Sequence, residues 1–188
     1  MSLLSHFFPS LFPTTADVAL FDESLIPSQV QSALPLGYRL RPLRANDYER
    51  GFLKVLEVLT EVGHHTKEEW LDQFNFMKKR NDTYFTITIT DDANDQIVAT
   101  GTILIERKFV HKNGLVGHIE DIAVDANQQG KKLGLRIIEA LKGIGASQGC
   151  YKVILDCAEK NMPFYEKCGF QPKEHQMAWY VPNQKANL

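Results

Sequence analysis

Cysteine is scarce in this chain: three residues, Cys150, Cys157 and Cys168, among 188. An odd number with no Cys-x-x-Cys pair excludes a disulfide framework, and nothing in the sequence calls for a metal. All three adjoin apolar segments, so reduced, buried thiols in a cytoplasmic protein are expected. Charge of one sign is lacking too. Lys and Arg total 21 against 23 Asp and Glu, a net charge of −2. No overall field therefore draws nucleic acid, and an anionic substrate would need a local basic cluster. No apolar run is long enough to form an integral membrane segment. The nearest, MSLLSHFFPSLFP, has no cationic start and is broken by Pro9 and Pro13, a poor pattern for a signal peptide. An arm docking on its own domain or on a second subunit is expected, in preference to skimming a membrane. Repeats and low-complexity tracts are absent. Hydrophobic content of 44% and charged content of 23% suit one domain with a proper core.

Residues 1–36 read as an N-terminal extension with a short helix near Ser28 to Ala33, bracketed by Pro27 and Pro35. Residues 37–188 read as the domain. Gly37 to Pro42 alternates as a first strand. Asn46 with Glu49 predicts a capping box before a helix whose stripe is Phe52, Val55, Leu56, Leu59 and Val62. Thr66 with Glu69 predicts a second box, and Trp70, Phe74 and Met77 the face of a second helix ending near Arg80. Thr83 to Thr90 is rich in β-branched and aromatic residues and reads as a strand. Gln96 to Val110 reads as a long strand interrupted by Gly101, and Lys112-Asn113-Gly114 as a hairpin turn. Leu115 to Val124 returns antiparallel. A helix over Lys131 to Ala146, a short buried strand over Tyr151 to Asp156, a helix from Pro163 to Gly169 and a last strand over Gln176 to Val181 complete the order. That order is α+β with a mixed sheet.

The stretch from His118 to Gly134, HIEDIAVDANQQGKKLG, joins an apolar strand to a glycine-marked helix start. A helix N-terminus offers unpaired N–H groups and the positive dipole end, so this turn suits a phosphate. Glu120 and Asp121 are adjacent on the strand and should point to opposite faces. Acidic residues in an apolar strand are costly without a purpose, the alternative being a charged edge.

This stretch resembles the acetyl-CoA signature of the GNAT superfamily of N-acetyltransferases, Arg/Gln-x-x-Gly-x-Gly/Ala, through Gln129 and Gly134. Lys132 stands where the middle glycine is usual. IERKFVHKNGLVGHIEDIAV and GCYKVILDCAEKNMPFYEKCGF are similar to one branch, the eukaryotic glucosamine-6-phosphate N-acetyltransferases. The likeness runs from about Tyr38 to about Tyr180. It implies the GNAT acetyltransferase fold, a mixed central sheet with splayed parallel strands flanked by helices. It implies direct transfer, in a ternary complex, from acetyl-CoA to the 2-amino group of D-glucosamine 6-phosphate, a step in UDP-N-acetylglucosamine biosynthesis. A homodimer with a site shared between subunits also follows from it.

The resemblance assigns roles residue by residue. Ile122, Ala123 and Val124 would pair through their backbone with the pantetheine arm. Gln129, Gly130, Lys131, Lys132, Leu133, Gly134 and Leu135 would hold the pyrophosphate. Asn161, Phe164, Tyr165 and Lys167 would flank acetyl-CoA, with Tyr165 at the thioester sulfur. Tyr165, Glu120 and Asp121 would be catalytic. Thr60, Lys108, His111, Glu120, Asp121, Tyr151, Lys152 and Asp156 would bind the sugar phosphate. The arginine the family often carries near its final strand is missing from Met177-Ala178-Trp179-Tyr180. Rival readings are a GNAT enzyme for another small amine or a protein amine, and a non-catalytic acyl-CoA-binding module.

Overall fold

The computed structural model describes residues 17–182. Its elements run α1 (Ser28–Ser32), β1 (Tyr38–Pro42), α2 (Phe52–Leu56), α3 (Lys67–Lys78), β2 (Tyr84–Asp91), β3 (Gln96–Arg107), α4 (Val110–Asn113), β4 (Leu115–Val124), α5 (Leu133–Ser147), β5 (Cys150–Leu155) and α6 (Met162–Lys167). The strands form one five-stranded sheet in the order β1-β2-β3-β4-β5. The first three pairings are antiparallel and β4–β5 is parallel. This is the mixed sheet that the element order predicted.

Alternation in β2 sends Phe85, Ile87 and Ile89 to one face and Thr86, Thr88 and Thr90 to the other, all buried. The buried hydroxyls are satisfied: Thr86 and Thr102 share a hydrogen bond at 2.8 Å, and Thr90 donates to the Arg39 carbonyl at 3.3 Å. Helix α5 buries Leu133, Ile137, Ile138, Leu141 and Ile144. It lies so close to the sheet that a Cβ on Gly101 would stand 2.6 Å from Ile137 and 2.5 Å from Ile122. The interruption at Gly101 in β3 is thus a close approach, not a turn.

Residues 17–36 are part of this packing. Leu20 N–H donates to the Leu43 carbonyl at 2.8 Å, and Ala45 N–H to the Val18 carbonyl at 3.0 Å. Phe21 meets Phe85 edge-on with centroids 5.2 Å apart. Gln31 caps the free edge of β1 by accepting from Leu40 N–H at 2.8 Å. Pro27 fills the notch at Gly143 of α5, where a Cβ would stand 2.3 Å from its ring. The apolar run over residues 1–13, expected as a docking arm, lies outside the described residues.

Several expectations need correction. The capping box is not Asn46 with Glu49. Asp47 accepts from Arg44 N–H at 2.7 Å and takes Arg41 in a buried bidentate pair at 2.8 Å through both oxygens. Gly51, at φ 78, then opens α2, which stops at Leu56. Leu59, placed by its stripe in the core, is 46% exposed. The Thr66–Glu69 box of α3 is present as expected. The β3–β4 connection turns on three consecutive left-handed residues, His111, Lys112 and Asn113, while Gly114 is extended. Strand β5 is not buried: Tyr151 and Ile154 are exposed. Among the described residues no strand forms over Gln176 to Val181, and Met177, Trp179 and Tyr180 stand in solvent. The alternating segment pairs with neither the outer edge of β5 nor the free end of β4. Cys157 is exposed and Cys150 half-exposed, so only Cys168 is the buried thiol expected.

Candidate active site

Strands β4 and β5 pair only from Leu115–Cys150 to Ile119–Leu155. Beyond that point β4 continues to Val124 with no β5 beside it, so one edge of Glu120 to Val124 keeps free backbone donors and acceptors. On its other edge β4 carries a bulge. Thr100 pairs with Ala123 but Thr102 with Glu120, so Asp121 and Ile122 share one position opposite Gly101. Asp121 adopts φ 54 to make this fit. Simple alternation of Glu120 and Asp121 across the sheet, the sequence expectation, therefore fails. The bulge instead keeps both carboxylates exposed at the mouth of the splay. Partial burial raises the Glu120 carboxyl above its ordinary pKa, followed by the charges of Asp121 and Asp156. Such a carboxylate is a better proton acceptor than an ordinary surface glutamate.

The turn after β4 runs through Asp125, whose carboxylate accepts from Asn127 N–H at 2.8 Å. Gly130 takes φ 81 and Lys132 φ 62, and α5 begins at Leu133. Leu133 is buried, so it can offer a ligand only its backbone. No acidic residue lies in the first turn of α5, leaving its N-terminal N–H groups and positive dipole end uncompensated. A Cβ on Gly134 would stand 3.4 Å from Phe164 and 3.5 Å from Val124. Helix α5, the end of β4 and helix α6 thus converge on this glycine. Lys131 donates to the Tyr38 hydroxyl at 2.7 Å and to Gln128 Oε1 at 2.5 Å.

Helix α6 carries Pro163 in its first turn and ends at Lys167, with Gly169 at φ 87 just beyond it. It presents Tyr165 half-buried, edge-on to Phe164 at 5.1 Å and to Phe170 at 6.2 Å. Burial pushes the phenol pKa up, with Cys157 and Cys168 adding to the effect. The hydroxyl is therefore a hydrogen-bond donor throughout the neutral range. Asn161, immediately before α6, and Lys167, at its end, are exposed.

At the other end of β4 the cations gather. Lys108 donates to Glu106 at 2.8 Å, and His118 Nε2 meets the second oxygen of that carboxylate at 2.8 Å. These two bonds, Lys108 first, hold the Glu106 carboxyl below its ordinary pKa. Because a carboxylate only accepts, His118 Nε2 is the donor in this contact. His111 packs on Tyr151 with centroids 4.5 Å apart, and the Lys152 ammonium lies 5.9 Å from the Tyr151 ring. His111, Tyr151 and Lys152 are thus brought together, while the Lys108 side chain turns to Glu106. Thr60 is apart from them, lining a recess of about 420 Å³ with Glu57, Glu61, Val62 and Gly63. A larger groove of about 770 Å³ follows the edge of β1 and contains none of the expected site residues. Glu106 and His118 escaped the sequence reading. The signal was present, since each stands two residues from a selected position and so shares its face.

Comparison with known proteins decides the family. The model of the acetyltransferase (GNAT) family matches residues 46–170. The chain belongs to the GNAT acetyltransferase family. A GNAT relative from Dictyostelium discoideum, glucosamine 6-phosphate N-acetyltransferase 1, is 49% identical over 146 residues, 78% of this chain and 92% of that one. Glucosamine 6-phosphate N-acetyltransferase from Candida albicans is 44% identical over 138 residues, 73% of this chain and 92% of that one. The crystal structure of glucosamine-6-phosphate N-acetyltransferase from Arabidopsis thaliana superposes with a TM-score of 0.75 at 40% identity, covering 76% of this chain and 97% of that chain.

GNAT acetyltransferases use acetyl-CoA, and the residues present fit it. The unpaired edge of β4 matches an amide-bearing arm, and the acid-free N-terminus of α5 matches a pyrophosphate. Lys132 occupies the place of the usual glycine in a left-handed conformation that glycine would adopt without cost. Among the described residues no helix is long and apolar enough to cross a membrane.

Proposed function

We propose that this protein transfers the acetyl group of acetyl-CoA to the 2-amino group of glucosamine 6-phosphate, in one direct step within a ternary complex. The observation that carries this reading is the order of groups along β4. Its start lies beside the cations Lys108, His111 and Lys152, its middle carries Glu120 and Asp121, and its end offers a free backbone edge leading into α5. A phosphate, an amine and a thioester are thereby addressed in sequence along one strand. Relatives named for this reaction cover three quarters of the chain, which supports the same acceptor.

In this reading Glu120, with its raised pKa, takes the proton of the attacking amine, while Asp121 orients the acceptor. Tyr165 donates a hydrogen bond to the sulfur as negative charge builds there, a bond that grows stronger toward the transition state. The backbone of Ile122, Ala123 and Val124 holds the arm that carries the thioester. Lys108 reaches the sugar phosphate by exchanging Glu106 for it, and Tyr151, Lys152 and Asp156 complete the acceptor site. Asn161, Phe164 and Lys167 border the acyl donor.

The protein acts as a cytoplasmic homodimer. Support comes from the apolar surface left open in one chain: Phe109 is 96% exposed, Met177 94% and Trp179 78%. The alternation of residues 176–181 fits a strand added to a second copy. Initial velocities with glucosamine 6-phosphate, glucosamine and a lysine peptide test the acceptor. Strong preference for the phosphosugar is expected. Equal use of glucosamine, or preference for the peptide, would overturn the reading.

A further inference from the structure

Lys131 and Lys132 precede α5 directly, and no carboxylate lies in the first turn of that helix. A cation at the positive end of a helix has the wrong sign. It is tolerated at no gain unless an anion comes to the same place. A free lysine in that position would extend into water, where its rotamer freedom is greatest. Lys131 does not. Its ammonium is held at 2.7 Å by the hydroxyl of Tyr38 and at 2.5 Å by Gln128 Oε1, and the same hydroxyl donates to Gln128 at 2.7 Å. The ammonium also lies 5.3 Å from the Tyr38 ring centroid. Both holders are neutral, so the positive charge is fixed in place and left uncompensated. Tyr38 comes from β1, at the far edge of the sheet order and 93 positions away in sequence.

We propose that Tyr38 is a positioning residue for acetyl-CoA. Acting through Lys131, it stations a cation at the N-terminal mouth of α5 before the ligand arrives, so that the phosphate groups meet a charge already in place. Ordering is done in the free protein, and less is lost on binding. The proposal rests on the reading of Lys131 as a phosphate contact.

The test compares CoA with acetylpantetheine, which keeps the thioester arm and lacks every phosphate. Tyr38→Phe preserves the ring and removes the two hydrogen bonds. Its calorimetric Kd for CoA should rise on the order of fivefold. The KM should rise for acetyl-CoA alone, while that for the sugar and for acetylpantetheine stays put. In a Lys131→Ala background the same change should cost nothing further. If Lys131→Ala weakens CoA but Tyr38→Phe binds like the parent, the positioning role is overturned and the Lys131 reading stands. If Lys131→Ala itself leaves CoA affinity unchanged, the Lys131 reading fails and the proposal with it. Equal losses for CoA and acetylpantetheine would mark a general distortion and would also overturn it.

Discussion

Asp156 follows Leu155, the last β5 residue paired to β4, and Glu120 follows its partner Ile119. Two carboxylates therefore stand side by side where the strands part. Partial burial, then Asp121, then Asp156 keep the Glu120 carboxyl above its ordinary value of 4.5. If Glu120 takes the amine proton, kcat/KM falls on the acid side along a limb set by this raised pKa. Glu120→Gln should remove that limb and lower kcat about 100-fold or more. Stability should move the other way. A carboxyl whose folded pKa is raised favours the fold while protonated and opposes it once ionised. Glu120→Gln should therefore be more stable than the parent at neutral pH, with the gain shrinking as pH falls toward the ordinary value. Urea titrations at both ends of that range check the sign.

Lys132 is a non-glycine residue at φ 62 immediately before α5. Left-handed conformation costs an L-residue roughly 1–2 kcal/mol, offset in part by the chain entropy a glycine adds. Lys132→Gly should leave stability unchanged or raise it by about 1 kcal/mol, a few degrees in Tm. Acetyl-CoA turnover should persist.

A Cβ on Gly134 would lie at ordinary contact with Phe164 and Val124, and valine adds two methyl groups to that space. Gly134→Val should weaken CoA binding tenfold or more by calorimetry, on the order of 1.4 kcal/mol or above, in a variant that still folds. Unchanged CoA affinity in a folded variant would move the phosphate site elsewhere.

Tyr165→Phe separates packing from chemistry. The ring contacts with Phe164 and Phe170 survive, so Tm should change little. Loss of one charge-assisted bond at the departing sulfur should cost about 2–4 kcal/mol, roughly 30- to 1,000-fold in kcat. A normal kcat would leave Tyr165 as a packing residue.

Trp179 and Met177 stand exposed on a segment that joins no described strand of its own chain. A homodimer burying on the order of 2,000 Å² would cover them. Trp179→Asp should shift sedimentation at micromolar concentration toward monomer and lower activity with it. A fully active monomer would contradict a shared site.

How much of this was legible depends on how local the signal was. Strand β4 was readable to the residue, Leu115–Val124, because β-branched alternation and the following polar turn bound it. The bulge inside it was not, since it depends on Gly101 in the neighbouring strand and on α5 above that glycine. The Asn-Gly pair pointed to a hairpin turn, which joins β3 to β4, with left-handed conformation at His111, Lys112 and Asn113. The stripe through Leu59 looked helical, yet Gly51 delays α2 and the chain leaves the helix after Leu56. Alternation over Gln176 to Val181 was real, but the segment stands away from the sheet and pairs with no described strand of its own chain. The turn after β4 and Tyr165 took their proposed roles from the resemblance alone; the link from Tyr38 to Lys131 joins distant segments that only the folded sheet brings together.

The central claim is that an acetyl group passes from a thioester to the amine of a phosphosugar. Carbon-13-labelled acetyl-CoA, glucosamine 6-phosphate and the purified protein, followed by NMR, test it directly. The account predicts that the thioester carbonyl signal is replaced by an amide carbonyl coupled to a sugar bearing both the phosphate and the new N-acetyl group, with one CoA released per amide formed. Labelled acetate as the sole product, an ester in place of the amide, or label retained on the protein would contradict it.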